Sequence, residues 1–584
     1  MLDEYILTTR YFTSGESTYA ELVERVSRGI SSTDEEYHSF LKMLNNKYFL
    51  PGGRTLSLAG TNGQLIPNCV VLPIEDSISK IFKTLKRSGI LQQAGCGMGY
   101  SFSKLRPAGM DCSRTSSIAS GPISFMNLFS DASRVIQQKG RSGANIGVLD
   151  ISHPDIVSFI HAKSSLSVMN NFNISVLVSN EFMRRVVSND KNNWICTWNG
   201  TELNPRLVTY NENMILSDIS PITITPAELF DEIIDQMWRT GEPGILFGDN
   251  INSENELVPY LGNIDATNPC GEICLYPNEC CNLGSINLEE MCDESPNWNP
   301  VSIDDVLSYM KIDCLYSTTK LAIDFLNNVI DKLNIPDKKL SENVLKLRRI
   351  GLGIMGLADM FIKLRIPYDT QLARDVCEYI MQLISQAAHE ESELLVSKYK
   401  SVGERLNIPI LLNRSNCACT CIAPTGSTSM IYNVSSGIEP YYGLTVRRLI
   451  RSANEFDKSK EVILINKHLE HIMKLNNIWS DENIDKLESE GIDSLNLPNE
   501  VKQVFKTSLD IKPIDHVLMQ ASAQQFVDNS ISKTINFRNN VTKSEIRDAV
   551  LCAWKHKCKG ITAYRNGSRE NQVFSECKNG KCDL

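Results

Sequence analysis

Residues 172–178 read Phe-Asn-Ile-Ser-Val-Leu-Val, with Phe172, Ile174, Val176 and Val178 at alternate positions and Asn173, Ser175 and Leu177 between them. Successive side chains of an extended chain point to opposite sides, so this is a strand with one apolar face and one mixed face. Helix starts punctuate the sequence beyond it. Thr225-Pro226-Ala227-Glu228 combines an N-cap, a proline at the first helical position and the reciprocal glutamate of a capping box, and Phe230, Ile233, Ile234 and Met237 supply the buried stripe. Thr542-Lys543-Ser544-Glu545 opens a later helix in the same way, with Ile546, Val550 and Trp554 on its inner face. From Pro51 onward, short apolar strands alternate with longer helical patterns, the signature of an α/β architecture.

The flanks differ. Residues 1–50 read as a helical lead-in of two helices, the second opening at Thr33 with Asp34, Glu35 and Glu36 where the helix dipole favours acidic groups. The main unit is expected over 51–565, with a lysine- and asparagine-rich helical insertion at about 455–511. Residues 566–584 are polar, rich in turn formers and have almost nothing to bury, which predicts a flexible tail.

With 584 residues, 42% of them hydrophobic, the chain can bury a large core. Its 59 basic and 69 acidic residues give a net charge of −10, which argues against nonspecific binding to nucleic acid or to an acidic membrane surface. The N-terminus, MLDEYILTTR, lacks the basic start and apolar run of a secretory signal, and no apolar run reaches membrane-spanning length. A cytoplasmic protein is expected. In that reducing setting the 18 cysteines would be thiols, so those that matter should be catalytic, redox-active or metal-bound.

The densest chemistry lies at Asn268-Pro269-Cys270-Gly271-Glu272, followed by Cys274, Cys280 and Cys281. A single cysteine in a long chain is ordinarily a small core residue. In an extended segment, however, Asn268, Cys270 and Glu272 would face one side, and Gly271 would allow close approach of a ligand. The cysteine spacings do not repeat the paired Cys-x-x-Cys of zinc ribbons, so no metal site is expected there. A second feature is Cys577-Lys578-Asn579-Gly580-Lys581-Cys582, two thiols beside lysines that favour the attacking thiolate. It reads as a carrier of electrons, as an incidental terminus, or as half of a zinc site with Cys552 and Cys558. The third is Ala423-Pro424-Thr425-Gly426-Ser427-Thr428-Ser429, whose hydroxyls and backbone N–H groups suit a phosphate. It lacks the lysine of a P-loop.

Taken together, several stretches resemble ribonucleotide reductase large subunits: PGGRTLSLAGT (51–61), PNCVVLPIEDSI (67–78), NFNISVLVSNEFM, NPCGEICLYPNECCNLGSINL (268–288), RRIGLGIMGLADM, APTGSTSMIYNVSSGIEP (423–440), MQASAQQFVDNSISKTIN and CKGITAYRNGSR. The resemblance implies a ten-stranded α/β barrel of two half-barrels, with a radical cysteine on a loop through its centre. It implies that Cys270 carries the thiyl radical that removes the ribose 3′ hydrogen. Glu272 then takes the 3′-hydroxyl proton, and Asn268 orients the sugar. Cys69 and Cys281 match the reducing pair, with Cys280 structural, and Cys577 and Cys582 would restore that pair by disulfide exchange. Substrate phosphates are expected at Thr425, Ser427 and Thr428, with Thr55 and Asn68 nearby. Asp76 and Arg106 match positions that bind a deoxynucleotide or ATP effector at a dimer interface; read alone, they are a helix cap and a surface charge. The loop from Ser164 to Asn171 resembles the relay between effector and substrate base.

Members of the family differ in how the cysteine radical is made. Those fed by a separate radical-storing subunit conduct it through an adjacent tyrosine pair, but Ile561-Thr562-Ala563-Tyr564-Arg565 holds one tyrosine only. Tyr441-Tyr442 follows a different motif and is expected to line the barrel. The NPCGEI and SKTIN wording resembles the adenosylcobalamin-dependent enzymes. The alternative is a large subunit that depends on a metal-containing partner. The resemblance further implies nucleoside diphosphates as substrates, a thioredoxin- or glutaredoxin-like reductant, a homodimer, and no N-terminal ATP-binding regulatory module.

Overall fold

The computed structural model describes residues 2–112, 117–138, 141–164, 169–211, 214–409, 412–450 and 460–568. Ten strands form one sheet: β1 (Phe49–Pro51), β2 (Cys69–Val71), β3 (Gly97–Ser101), β4 (Asn145–Asp150), β5 (Phe172–Val178), β6 (Gly244–Phe247), β7 (Glu279–Asn287), β8 (Ile350–Met355), β9 (Thr534–Phe537) and β10 (Gly560–Arg565). Strands β2 to β6 pair in parallel in that order. Parallel pairing also joins β7 to β8 and β9 to β10. The two sets meet antiparallel where β2 pairs β7 and where β6 pairs β10. Parallel bridges from Leu352 to Thr420 and from Ile422 to Ile531 carry the pairing from β8 to the residues just before β9, so it runs full circle.

Alternation along the strands sorts the two faces of this ring. Phe172, Ile174, Val176 and Val178 point outward into the main core, where Phe172 packs with Tyr100, Phe102 and its neighbours. Asn173, Ser175 and Leu177 face inward, as their mixed character predicted. Helices cover the outside. The one at Pro226–Thr240 has the expected capping box at Thr225 and buries Phe230, Ile233, Ile234 and Met237. Each such side chain contributes about 1.5–3 kcal/mol of transfer free energy.

The inner face of β3 and β8 is glycine where another strand pair enters. A Cβ on Gly99 would lie 1.9 Å from the Thr267 carbonyl oxygen, and one on Gly353 would lie 2.3 Å from that of Cys421. No side chain fits at either position, which is the reason that these strands carry Gly-x-Gly.

The α/β class agrees with the sequence reading, but the lead-in differs from it. Three helices, Leu2–Arg10, Tyr19–Ile30 and Asp34–Asn45, stand where two were expected, because the chain breaks around Gly15, which has φ +101°. Thr33 caps the third as predicted, accepting from the Glu36 N–H. Helices Lys467–Leu475, Asp481–Glu490 and Asn499–Val504 form a satellite core anchored on Ile362 and Leu444, within the segment read as an insertion. No helix among the described residues is long and apolar enough to cross a membrane.

Candidate active site

A hairpin from Ala266 to Leu275 enters the ring. Its stem is held by the Thr267–Cys274 bridge and by N–H donations from Leu275 to Ala266 (3.2 Å) and from Asn268 to Ile273 (3.1 Å). At the tip the Gly271 N–H donates to the Asn268 carbonyl (3.0 Å), and Gly271 has φ +80°. The expectation of an extended Asn-x-Cys-x-Glu segment is therefore corrected: residues 268–271 form a tight turn. Pro269 presets its first central position and Gly271 takes the left-handed one, a signal that the sequence carried.

The turn separates the three side chains by environment. Asn268 and Glu272 are buried, whereas Cys270 is exposed at the tip. Opposite sides of the ring hold the backbone around it. Asn173 on β5 donates to the Pro269 carbonyl (3.2 Å), and Ser530 ahead of β9 donates its N–H to that of Glu272 (2.9 Å). A Cβ on Gly271 would meet nothing within 4 Å, so the backbone at the tip borders open space. Asn268 knits the site together: its Oδ1 accepts from the Ile273 N–H (3.0 Å), its Nδ2 lies 3.6 Å from Cys69 Sγ, and its side chain bonds to Glu272.

Burial pushes the Glu272 carboxyl up to about 7. Its Oε2, like Asn68 Oδ1, is buried with no hydrogen-bond partner among the described residues. Buried groups of this kind are ordinarily satisfied, so both suit a bound polar ligand.

Antiparallel register sets Cys69 of β2 directly opposite Cys281 of β7, and Cys280 opposite Val70. Opposite residues share a face with Cβ atoms roughly 4.5–5.5 Å apart, close to what a disulfide needs. Cys281 therefore points inward with Cys69, while Cys280 packs in the outer core. Burial, then the Glu272 charge, push the Cys69 thiol up to about 12; burial and the neighbouring Cys69 and Cys421 push Cys281 well above the usual thiol range. Cys421, another inward thiol, was not singled out from the sequence, although the alternation Cys417-x-Cys419-x-Cys421 marks it.

The phosphate candidates follow the inward residue Ala423 at the same end of the ring. Thr425 (φ +49°) accepts from the Gly437 N–H (2.8 Å), and Thr428 donates to the Thr425 carbonyl (3.3 Å). Ser427 accepts from the Arg10 guanidinium (2.9 Å), and a Cβ on Gly426 would meet only open space. Asn68 packs on Gly52, just before the helix Gly53–Leu58 that carries buried Thr55. Arg10 was missed because 417 residues separate it from Ser427 and no local pattern marks it.

Asp76 and Arg106 form an ion pair (2.8 Å) at the start of helix Ile78–Ala94. Of the presumed relay loop, residues 165–168 lie outside the described residues, as do Cys577 and Cys582. Tyr441 does not line the ring, contrary to expectation: it bonds to Asp359 beside the satellite core, drawn there by that buried carboxylate. Tyr564 sits on β10 opposite Asn536. A cavity of about 90 Å³ bounded by Cys274, Arg349, Arg414, Asp528 and Lys559 lies at the base of the hairpin rather than at its tip.

A hairpin with a cysteine at its tip inside a ring of two opposed parallel strand sets, with a buried carboxyl and an inward cysteine pair beside it, marks a class of radical nucleotide-reducing enzymes. The family model "Ribonucleotide reductase, barrel domain" matches residues 67–404 and 414–564, and the chain belongs to that family. Among curated relatives, the vitamin B12-dependent ribonucleoside-diphosphate reductase of Mycobacterium tuberculosis (strain CDC 1551 / Oshkosh) is 37% identical, over 98% of this chain and 79% of its own. The protein of the same description from Thermoplasma acidophilum is 36% identical, over 96% of this chain and 69% of its own. The large subunit of the Vaccinia virus ribonucleoside-diphosphate reductase is 28% identical over 88% and 70%. In fold, the chain is similar to the class Id ribonucleotide reductase alpha subunit of Actinobacillus ureae, with a TM-score of 0.75, 19% identity and coverage of 97% and 96%.

Proposed function

We propose that this chain reduces ribonucleoside diphosphates to 2′-deoxyribonucleotides with adenosylcobalamin as cofactor. The observation that carries the reading is the hairpin inside the ring, which exposes Cys270 at its tip and holds buried Asn268 and Glu272 beside the inward Cys69–Cys281 pair. In this scheme the Cys270 thiyl radical takes the 3′ hydrogen while Glu272 accepts the 3′-hydroxyl proton, and Asn268 orients the sugar. Cys69 or Cys281 donates the proton with which the 2′-hydroxyl leaves as water. Two electrons then pass from the pair, which ends as a disulfide, and Cys270 returns the 3′ hydrogen. Thiols held far above their usual pKa keep their protons until that step.

We assign the cofactor to the inner face of the ring across β5, β6 and β10. Small residues Ser175, Gly244 and Thr562 meet there, with Ser175 Oγ and Thr562 Oγ1 2.9 and 3.8 Å from where a Gly244 Cβ would be. These residues would border adenosylcobalamin. Once bound, it supplies a radical by homolysis of its cobalt–carbon bond. The B12-dependent relatives and the single tyrosine at 564 support this over a partner-fed mechanism.

Thr425, Ser427, Thr428, Thr55 and Asn68 bind the substrate phosphates, and Asp76 with Arg106 binds a deoxynucleotide or ATP effector. Exposed Ile78 and Phe82 on one helix and Val135 on its neighbour Pro122–Val135 support a homodimer formed through these helices. Cys577 and Cys582 pass electrons from a thioredoxin- or glutaredoxin-like protein.

CDP reduction by the purified protein with dithiothreitol, with and without adenosylcobalamin, tests the reading. Turnover is expected only with the cofactor; Cys270→Ser abolishes it, whereas Cys577→Ser and Cys582→Ser lose only thioredoxin-driven turnover. Inactivity with adenosylcobalamin, together with activity restored by a metal-containing partner subunit, overturns it.

A further inference from the structure

Every residue that the sequence assigns to the substrate phosphates, Thr55, Asn68, Thr425, Ser427 and Thr428, is neutral. A nucleoside diphosphate brings several negative charges, and hydroxyls and amides alone discriminate weakly between a charged ligand and a neutral one. The structure places a cation at this site from a distant part of the chain. Arg10, in the last turn of the first helix, donates from Nη1 to Ser427 Oγ at 2.9 Å. The guanidinium is exposed, so it can turn toward a ligand while remaining beside the hydroxyl.

Three further residues, Tyr11, Tyr19 and Arg25, fix the segment that carries it. Tyr19 shares a hydrogen bond of 2.6 Å with Tyr432, in the short helix that begins at Thr428, and donates to the Leu44 carbonyl (2.8 Å). The Tyr11 hydroxyl lies 3.0 Å from where a Cβ of Gly53 would be, two residues before Thr55. Arg25 clamps the same segment to the Thr55 helix: it donates to the Leu56 carbonyl (3.1 Å), to the Ala59 carbonyl (2.5 Å) and to the Tyr11 carbonyl (3.3 Å), and pairs with Glu16. The lead-in thus bridges both stretches that carry phosphate-binding hydroxyls, and its first helix ends with a guanidinium between them and solvent.

We propose that Arg10 is a substrate-binding residue that pairs with the phosphate oxygens of the ribonucleoside diphosphate, so that the N-terminal helix forms one wall of the substrate site. The inference rests on the reductase reading above and extends it to a residue outside the matched family region. A guanidinium suits this task, because it offers parallel N–H donors in a rigid fork and keeps its charge. One donor can stay on Ser427 while others engage phosphate.

Arg10→Gln separates charge from support, because glutamine can still donate to Ser427 but carries no charge. Steady-state reduction of CDP is measured with adenosylcobalamin and dithiothreitol, beside inhibition by CMP and cytidine. Losing a charged hydrogen bond is expected to raise KM for CDP roughly ten- to a hundred-fold. A fall in kcat of no more than about threefold marks this as lost binding rather than lost chemistry. Preference for CDP over CMP and cytidine narrows, and Arg10→Lys recovers part of it. A KM for CDP within about twofold of wild type in Arg10→Gln, at unchanged thermal stability, overturns the assignment and reduces the Arg10–Ser427 contact to a tether. Wild-type protein that fails to reduce CDP under these conditions refutes the reductase reading instead. In that case direct calorimetric titration with CDP still reads the Arg10 effect.

Discussion

Glu272 carries the charge on which the proposed proton transfer depends. Its carboxyl titrates near 7 rather than near 4.5 because burial penalises the charged form more than the Asn268 hydrogen bond favours it. A general base works only when deprotonated, so kcat/KM for CDP should rise with pH and level off above about 7, as the pKa of the free enzyme. The same burial sets a stability trend of the opposite sense. Between pH 4.5 and about 7 the native state keeps a proton that the unfolded chain has released, so the group's stability contribution is full below 4.5 and is lost as pH rises through 7. The loss approaches about 3 kcal/mol. Glu272→Gln should remove CDP reduction and, in denaturant titrations at pH 5 and pH 8, show a smaller fall in stability than wild type. A variant with the same pH slope as wild type would mean that the carboxyl is not held in its raised state. Cys270, by contrast, is lifted by the turn from its buried neighbours to the tip.

At the level of elements, strand register decides which cysteine faces the proposed site. Adjacent thiols Cys280 and Cys281 look alike in sequence, but β7 pairs antiparallel with β2 and sends them to opposite faces. Cys281→Ala should abolish product formation from CDP even with dithiothreitol and even in a single turnover, because Cys69 alone can neither supply two electrons nor close a disulfide. Cys280→Ala should keep turnover and cost about 1 kcal/mol for the small cavity left in the outer core. Reversed outcomes would mean that the register is shifted by one residue, which flips every side chain. Such pairing is only partly legible in sequence. β5 could be read because its period-two pattern is local. β3 and β8 could not, because Gly97, Gly99, Gly351 and Gly353 argue against strands, and the reason for them lies far along the chain: the hairpin at Thr267 and Pro269 for β3, and chiefly the segment at Cys421 for β8. Asn268, Cys270 and Glu272 were expected on one face through alternation, whereas a Pro-Cys-Gly turn buries Asn268 and Glu272 and leaves Cys270 exposed at the tip. Arg10 had no local mark at all.

Across the whole molecule, the proposed substrate and effector sites are separate places that share a scaffold. Asp76 and Arg106 sit at the start of helix Ile78–Ala94, which packs on helix Pro122–Val135. From the second helix Ser130 donates to Asn171 Oδ1 (2.8 Å) and its carbonyl accepts from Asn171 Nδ2 (3.1 Å), fastening the end of the loop that leads into β5. β5 in turn holds the hairpin through Asn173. A physical path therefore joins the proposed effector pair to the reacting thiol, and the helices that begin it expose Phe82 (51%) and Val135 (82%) to solvent. Apolar side chains so placed are covered when two such surfaces meet about a two-fold axis, and each contact then counts twice. With about half of Phe82 already buried, covering the rest on both protomers is worth about 1.5–3 kcal/mol, or about ten- to a hundredfold in dimer affinity. Phe82→Asp should therefore shift the protein from dimer to monomer in sedimentation experiments at micromolar concentration. Stimulation of CDP reduction by deoxynucleotides should fall with it, since an effector site completed by two protomers is lost, while unstimulated turnover persists because Phe82 lies outside the ring. A variant that stays dimeric and responds fully to effector would move the interface elsewhere on the surface.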